Sequence, residues 1–349
     1  MEKMIILILV LVMISILAMV RAKKKVSPRQ QPAALKGTAI VITGAAARIP
    51  QEAALLERMY NSGMMDDVVF IAGASSGALN TVILNAILDK KLTWEVYKEM
   101  LFTLRNQDIY KLDGKKLPVD TRPLKNFLVK MVNDLLGYHK IGDLPITSAI
   151  SITDIEILGL TKKNYRLSNR KINPESDPNL DLVEILMAST AFPVVFPQAR
   201  ISNATTIPAH AFIDGGIHED HVPYKGLLDF IKYRGAGVER LYIVARKNNK
   251  KPELSQELET LGLNDRGILD KLGISIDDIL FKGFIKGLKS LQKEAPGLAE
   301  RTYVYIPDFP EEFLMLDFNN LEKQYNITKA WANTHGPVLL KEYLDGVKE

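Results

Sequence analysis

The chain has 349 residues, 47% of them hydrophobic and 25% charged, with no cysteine and a formal net charge of +4. This is a globular composition with ample length for a sizeable core. It excludes a disulfide framework and a thiolate metal site. So mild a charge, with no basic stripe interleaved with aromatics, argues against a nucleic-acid partner. Residues 4 to 20 carry no charge and are rich in Ile, Leu, Val and Met, and Arg21, Lys23, Lys24 and Lys25 follow at once. A helix over that run rises about 25 Å, at the short end of what a bilayer requires. A cleavable signal peptide carries its charge before the apolar run. The pattern therefore predicts an uncleaved single-pass membrane anchor over residues 1–22, with the following domain held in the cytoplasm. Residues 23–36 read as a basic, proline-containing linker whose cations suit anionic headgroups.

From residue 37 onward, short apolar runs alternate with helical patterns. Strands are expected at 38–42, 68–72, 150–152, 211–213, 241–245 and 303–306. Helices are expected at 50–61, 78–88, 94–104, 121–136 and 182–187. Strand–helix alternation predicts an α/β fold with a largely parallel sheet and flanking helices. Such folds place their sites at the carboxyl ends of strands. Toward the C-terminus, Ile276, Ile279, Leu280, Phe284, Leu288 and Leu291 recur at helical spacing, with Lys282, Lys286 and Lys289 off that stripe. The stripe has two readings, a membrane-surface contact near the site or a helix packed on the sheet with solvated lysines. The second is preferred.

Gly44, Ser75 and Asp214 each lie just past a predicted strand. Gly73-Ala74-Ser75-Ser76-Gly77 stands between a β-branched run and a buried helix. A serine flanked by glycines in that position is the nucleophile-elbow arrangement, and Gly73 and Gly77 allow the turn and a close approach of strand to helix. Asp214-Gly215-Gly216 ends the run 211–213 at a tight turn. A serine hydroxyl needs a general base. The five histidines, His139, His210, His218, His221 and His335, have no setting as suggestive as Asp214. The stretch His218-Glu219-Asp220-His221 reads as a solvated loop rather than a metal site, because four consecutive residues cannot easily point at one ion. The expected chemistry requires no metal and no cofactor.

Taken together, these segments resemble the patatin-like phospholipase family. Thr43-Gly44-Ala45-Ala46-Ala47-Arg48 occupies the place of the family's glycine-rich oxyanion loop with its basic residue. Gly73–Gly77 matches the elbow and Asp214-Gly215 the family's Asp-Gly motif. Ala188-Ser189-Thr190-Ala191-Phe192-Pro193 through Phe196-Pro197 looks like its Ala-Ser-x-Ala-x-Pro…Phe-Pro segment. The likeness spans roughly residues 37 to 245, in the family's order. It leaves 246–349 as a mixed C-terminal part of one domain over 37–349.

The resemblance implies a three-layer α/β fold and a Ser75–Asp214 dyad that hydrolyses acyl esters of phospholipids or lysophospholipids. The partners it implies are a lipid substrate and a membrane. It also implies an oxyanion hole from the backbone of Gly44, Ala45, Ala46 and Ser76. Arg48 then organises the loop or faces a headgroup. The sequence departs from the family where Ala45 and Ala46 replace glycines. Alanine keeps its N–H but loses easy access to positive φ. If the alanines impair the hole, Ala45→Gly or Ala46→Gly raises kcat. Two other readings stay open: a catalytically weak or inactive lipid-binding relative, and an α/β-hydrolase triad using His335.

Overall fold

Lys36–Ile42 forms β1, in which every residue after Lys36 is buried. A strand that is apolar on both faces belongs inside a parallel sheet. A computed structural model places β1 there; it describes residues 36–112, 114, 117–155, 162–207, 211–235, 237–249, 254–262 and 275–347. The other strands are β2 (Val68–Ala74), β3 (Thr147–Ile155), β4 (Lys162–Ser168), β5 (Phe212–Asp214), β6 (Gly237–Val244), β7 (Thr302–Tyr305) and β8 (Val338–Leu339). The sheet order is β4-β3-β2-β1-β6-β7-β8, with β5 paired to β3. The run from β3 to β7 is parallel. The edge strands β4 and β8, and β5, are antiparallel. Ile42 of β1 lies opposite Gly73 of β2 and Val244 of β6. The residues that follow these three strands therefore emerge along one edge.

Alternate side chains of the strands feed two cores. Ile40, Ile42 and Ile71 pack under α1 (Ile49–Asn61), α2 (Ser76–Leu88), α3 (Trp94–Thr103), α4 (Arg122–Leu128) and α5 (Leu182–Ser189). Ala39, Val41, Phe70 and Ala72 pack under α6 (Lys225–Arg234) and α7 (Ile276–Glu294). The result is the expected three-layer α/β arrangement. Next, α8 (Leu321–Ala332) joins the first face through Leu321 and Tyr325, and α9 (Leu340–Gly346) the second through Leu340.

Three features differ from the sequence reading. The expected helix over 121–136 breaks into α4 and a wider π-helical turn at Val129–Leu135. Strand β4 and helices α6 and α8 were not foreseen. The single-pass anchor and the cytoplasmic placement derived from it are not supported. Among the described residues no helix is long and apolar enough to cross a membrane, and the run from 4 to 20 lies outside the described residues. Only the C-terminal half of the stripe on α7 packs inward, with Phe284, Leu288 and Leu291 in the second core, whereas Ile279 is exposed.

Candidate active site

Ser75 is the hinge residue between β2 and α2, with φ 56° and ψ −131°. Such a backbone on a non-glycine residue costs on the order of 1–3 kcal/mol and persists only where its surroundings impose it. The surroundings here are specific. The Ser75 N–H donates to Ser189 Oγ at 2.9 Å, and that hydroxyl donates to the Ser151 carbonyl at 2.8 Å. The Ser75 carbonyl accepts from the Ala78 N–H at 2.9 Å. A Cβ on Gly77 would lie 2.2 Å from the Thr43 carbonyl oxygen, and one on Gly73 2.2 Å from the Gly77 oxygen. Glycine at both positions lets α2 start against the end of β1.

Asp214 is the last residue of β5 and only 2% exposed. Its N–H donates to the Ala191 carbonyl at 3.0 Å. Its Oδ1 accepts from the Gly216 N–H at 2.7 Å, and the Ser75 side chain lies close enough to act on its carboxyl. Gly215 passes so close to β3 that a Cβ there would lie 2.0 Å from the Ser151 oxygen. Burial pushes the Asp214 carboxyl up to about 6, while the nearby Ser75 side chain and the bond from the Gly216 N–H pull the other way. The segment 188–191 thus anchors both members of the pair, through the Ser189 hydroxyl and the Ala191 carbonyl. Its role was not legible from the motif alone. Asn164 of β4 was missed entirely; its Nδ2 donates to the Gly215 carbonyl at 3.0 Å and its Oδ1 meets His218 Nδ1 at 2.9 Å.

The loop after β1 differs from expectation in one N–H group. Ala45 donates to Ser76 Oγ at 2.7 Å, so its N–H is already engaged. Among the described residues, the N–H groups of Gly44, Ala46 and Ser76 have no such partner. Gly44 sits against the nucleophile, since a Cβ there would be 3.0 Å from Ser75 Cβ. Ala46 has φ 47°, whereas Ala45 has an ordinary φ of −133°. The glycine substitutions therefore separate. Ala46→Gly relieves a left-handed backbone and is expected to raise kcat a few-fold, since that conformation costs an alanine about 1–2 kcal/mol. Ala45→Gly is expected to give no gain. Steady-state kinetics on both variants is the check, and a kcat for Ala46→Gly at or below the parent's means the loop already works with alanine.

Arg48 is fully buried and grips Asp277 of α7 with both nitrogens, Nη1 to Oδ1 and Nη2 to Oδ2 at 2.7 Å each. Of its two readings, this geometry suits the organising one. Behind the loop, buried Glu52 accepts from Thr43 Oγ1 at 3.1 Å and from Asn80 Nδ2 at 3.2 Å, tying β1 to α2. Burial raises the Glu52 carboxyl well above its usual range.

Two cavities meet at Ser75. One is a cleft of about 700 Å³, counting its open mouth, walled by Gly44, Asp214, His221, Arg246, Phe281 and Phe284 among others. The second, about 850 Å³ on the same measure, is lined almost wholly by apolar groups such as Leu79, Ile83, Leu101, Leu124, Phe127 and Met131. Ala46, Ser75 and Phe192 belong to both walls.

The loop His218–His221 is less solvated than expected. Asp220 is fully buried, held by Arg166 at 2.9 Å through two nitrogens and by Ser151 Oγ at 2.8 Å. His221 reaches the cleft. His335 lies elsewhere: its ring stacks on Trp331 with centroids 4.5 Å apart, beside Arg58 and Met59. The triad reading has no support in this placement. His139 takes no part in either cavity wall, and His210 lies outside the described residues.

Residues 40–228 match the family model described as patatin-like phospholipase. No curated protein matches the chain. Among solved structures the chain is similar to VipD from Legionella pneumophila, at 10% identity and a TM-score of 0.41, covering 87% of this chain and 67% of that one. It is also similar to the type III effector ExoU, at 11% identity and a TM-score of 0.38, covering 90% and 53%. A third likeness is to the heterodimeric ExoU-SpcU complex from Pseudomonas aeruginosa, at 13% identity and a TM-score of 0.29, covering 77% and 59%. The chain thus spans about half to two thirds of these proteins, and superpositions this loose bear on nothing in the site.

Proposed function

The chain belongs to the patatin-like phospholipase family, and from that membership we propose a phospholipid or lysophospholipid acyl hydrolase acting through Ser75 and Asp214. The observation that carries the proposal is the placement of Ser75 and the buried Asp214 together in the wall of the cleft, where Ser75 also meets the apolar chamber. In this reading the acyl chain lies in the apolar chamber and the glycerol side of the ester in the cleft. A lipid substrate is met at a lipid surface; no membrane span is part of the proposal. The catalytic unit is residues 37–349.

Ser75 Oγ attacks the ester carbonyl as its proton passes to Asp214. The oxyanion that forms is met by backbone N–H groups of Gly44, Ala46 and Ser76. As the intermediate collapses, the proton moves from Asp214 to the departing alcohol. Water then attacks the acyl-enzyme, giving a proton to Asp214. When the fatty acid leaves, that proton returns to Ser75 Oγ.

The engaged Ala45 N–H favours one second reading, a lipid-binding relative with weak chemistry. A fluorophosphonate probe separates the two. Labelling of the parent chain, absent in Ser75→Ala, is the expected result. No labelling of a folded parent chain defeats the hydrolase proposal and leaves the binding one.

A further inference from the structure

We propose that Arg246, with Asn248 and His221, forms a phosphate-recognising subsite in the wall of the catalytic cleft. This rests on the hydrolase reading above and assigns the residues of the cleft that meet the phosphate of its substrate. Arg246 follows the end of β6, which pairs with β1, so it emerges beside the loop that holds Gly44. It lines the same cleft as Ser75 and Asp214, although its side chain is only 8% exposed.

Two observations, one of hydrogen bonding and one of charge, carry the assignment. Buried polar atoms in folded proteins are almost always paired. Yet Arg246 Nε, Asn248 Oδ1 and His221 Nδ1 are buried without a partner, and all three residues line this cleft. The amide of Asn248 can turn to offer Nδ2 as a donor, and imidazole can carry its proton on either nitrogen.

The charge does not close either. Both oxygens of Asp277 are taken by Arg48 at 2.7 Å, which leaves Arg246 Nη2 a looser 3.4 Å contact. Arg246 Nη1 donates to the Lys247 carbonyl at 3.2 Å. Glu52 and Glu257 also act on Arg246. But Glu52 is engaged by Thr43 and Asn80, and Glu257 by the N–H groups of Met315 and Leu316. Burial raises both carboxyls toward their neutral form. Burial and the neighbouring Arg48 pull Arg246 down to about 10, so it remains a cation at neutral pH. A guanidinium with an idle N–H suits the planar, charge-assisted contacts that phosphate oxygens make. The bland alternative is that Arg246 only buttresses the Arg48–Asp277 pair.

The shared chemistry is a phosphate oxygen, from a lipid headgroup or from free phosphate; we assign the headgroup. Two esters with one acyl chain provide the test, oleoyl lysophosphatidylglycerol and monooleoylglycerol. The parent chain is expected to prefer the phosphate-bearing ester in kcat/KM. Arg246→Gln should cut that ratio by about tenfold or more, the worth of a charge-assisted hydrogen bond. Arg246→Lys should restore part of it. An unchanged ratio in Arg246→Gln overturns the subsite and leaves a buttress. If Arg246→Gln does not fold, Asn248→Ala carries the same ratio test. Calorimetric binding to Ser75→Ala forms a second arm, independent of turnover. There, tighter binding of the lysolipid than of monooleoylglycerol is expected, and equal binding overturns the proposal. Displacement of that lysolipid by low millimolar inorganic phosphate overturns the headgroup assignment in favour of a free-phosphate site. A parent chain that hydrolyses neither ester and takes up no fluorophosphonate overturns the hydrolase reading, and the binding arm still decides the subsite.

Discussion

Asp214→Asn is expected to lose essentially all ester hydrolysis and, above about pH 6, to gain stability relative to the parent chain. The two effects have one cause. Asp214 is buried, and burial raises its carboxyl from 3.8 to about 6. A raised carboxyl binds its proton more tightly in the folded chain than in the unfolded one. Its contribution is therefore fully present below the unfolded value and is lost as pH rises through the folded one. At pH 8 the ionised group costs stability on the order of 3 kcal/mol. Asparagine does not titrate and escapes that cost, though it accepts less strongly from the Gly216 N–H.

Thermal melts of both proteins from pH 4 to 8 are the measurement. The Tm difference should move in favour of the variant between pH 4 and 7 and then level off. A difference independent of pH means that Asp214 does not titrate in that window. The same ionisation governs rate, because a base must be deprotonated to accept the Ser75 proton. The kcat/KM of the parent should fall below about pH 6. Ser75→Ala should lower kcat by about four to six orders of magnitude, as removal of an activated serine does elsewhere. His335→Ala should keep most of the activity. A folded His335→Ala without activity would sink the dyad.

How much of this was legible in the sequence follows from how local each signal is. β1 and β2 are apolar on both faces, so their runs stood out; Ser75 was read from the glycine-flanked turn that follows β2, and Gly44 from the family resemblance. Asp214 was read from the turn after its own run, although β5 runs antiparallel to β3. β4 reads Lys-Lys-Asn-Tyr-Arg-Leu-Ser, an edge strand whose charged residues hide its period. The supports of the site were not legible, because they join distant positions: Ser75 to Ser189, Arg48 to Asp277. Neither pairing leaves a spacing that a sequence can show. Arg246 was within reach. It lies just past a predicted strand, at the edge that had already given Gly44 and Ser75, and was passed over because no family motif marks it.

The second large effect concerns the buried pair that fastens the loop after β1 to α7. Removing one partner of such a pair leaves an uncompensated charge in the core and costs about 3–5 kcal/mol, whereas replacing both with apolar groups is often near neutral. The two single variants should not be equal here. In Arg48→Met, Asp277 still has Arg246 at 3.4 Å to answer its charge. In Asp277→Leu, two guanidinium groups are left facing each other, and Arg48 already depresses Arg246 by its charge. Asp277→Leu should therefore be the less stable, and the double variant Arg48→Met with Asp277→Leu should recover part of the loss. Chemical denaturation of the three proteins is the measurement. The hydrolytic rate should follow a different order. The double variant regains stability but not the tether between the loop after β1 and α7, so its kcat should stay low. Full recovery of both quantities would mean that the pair only holds the fold and that the loop keeps its shape unaided.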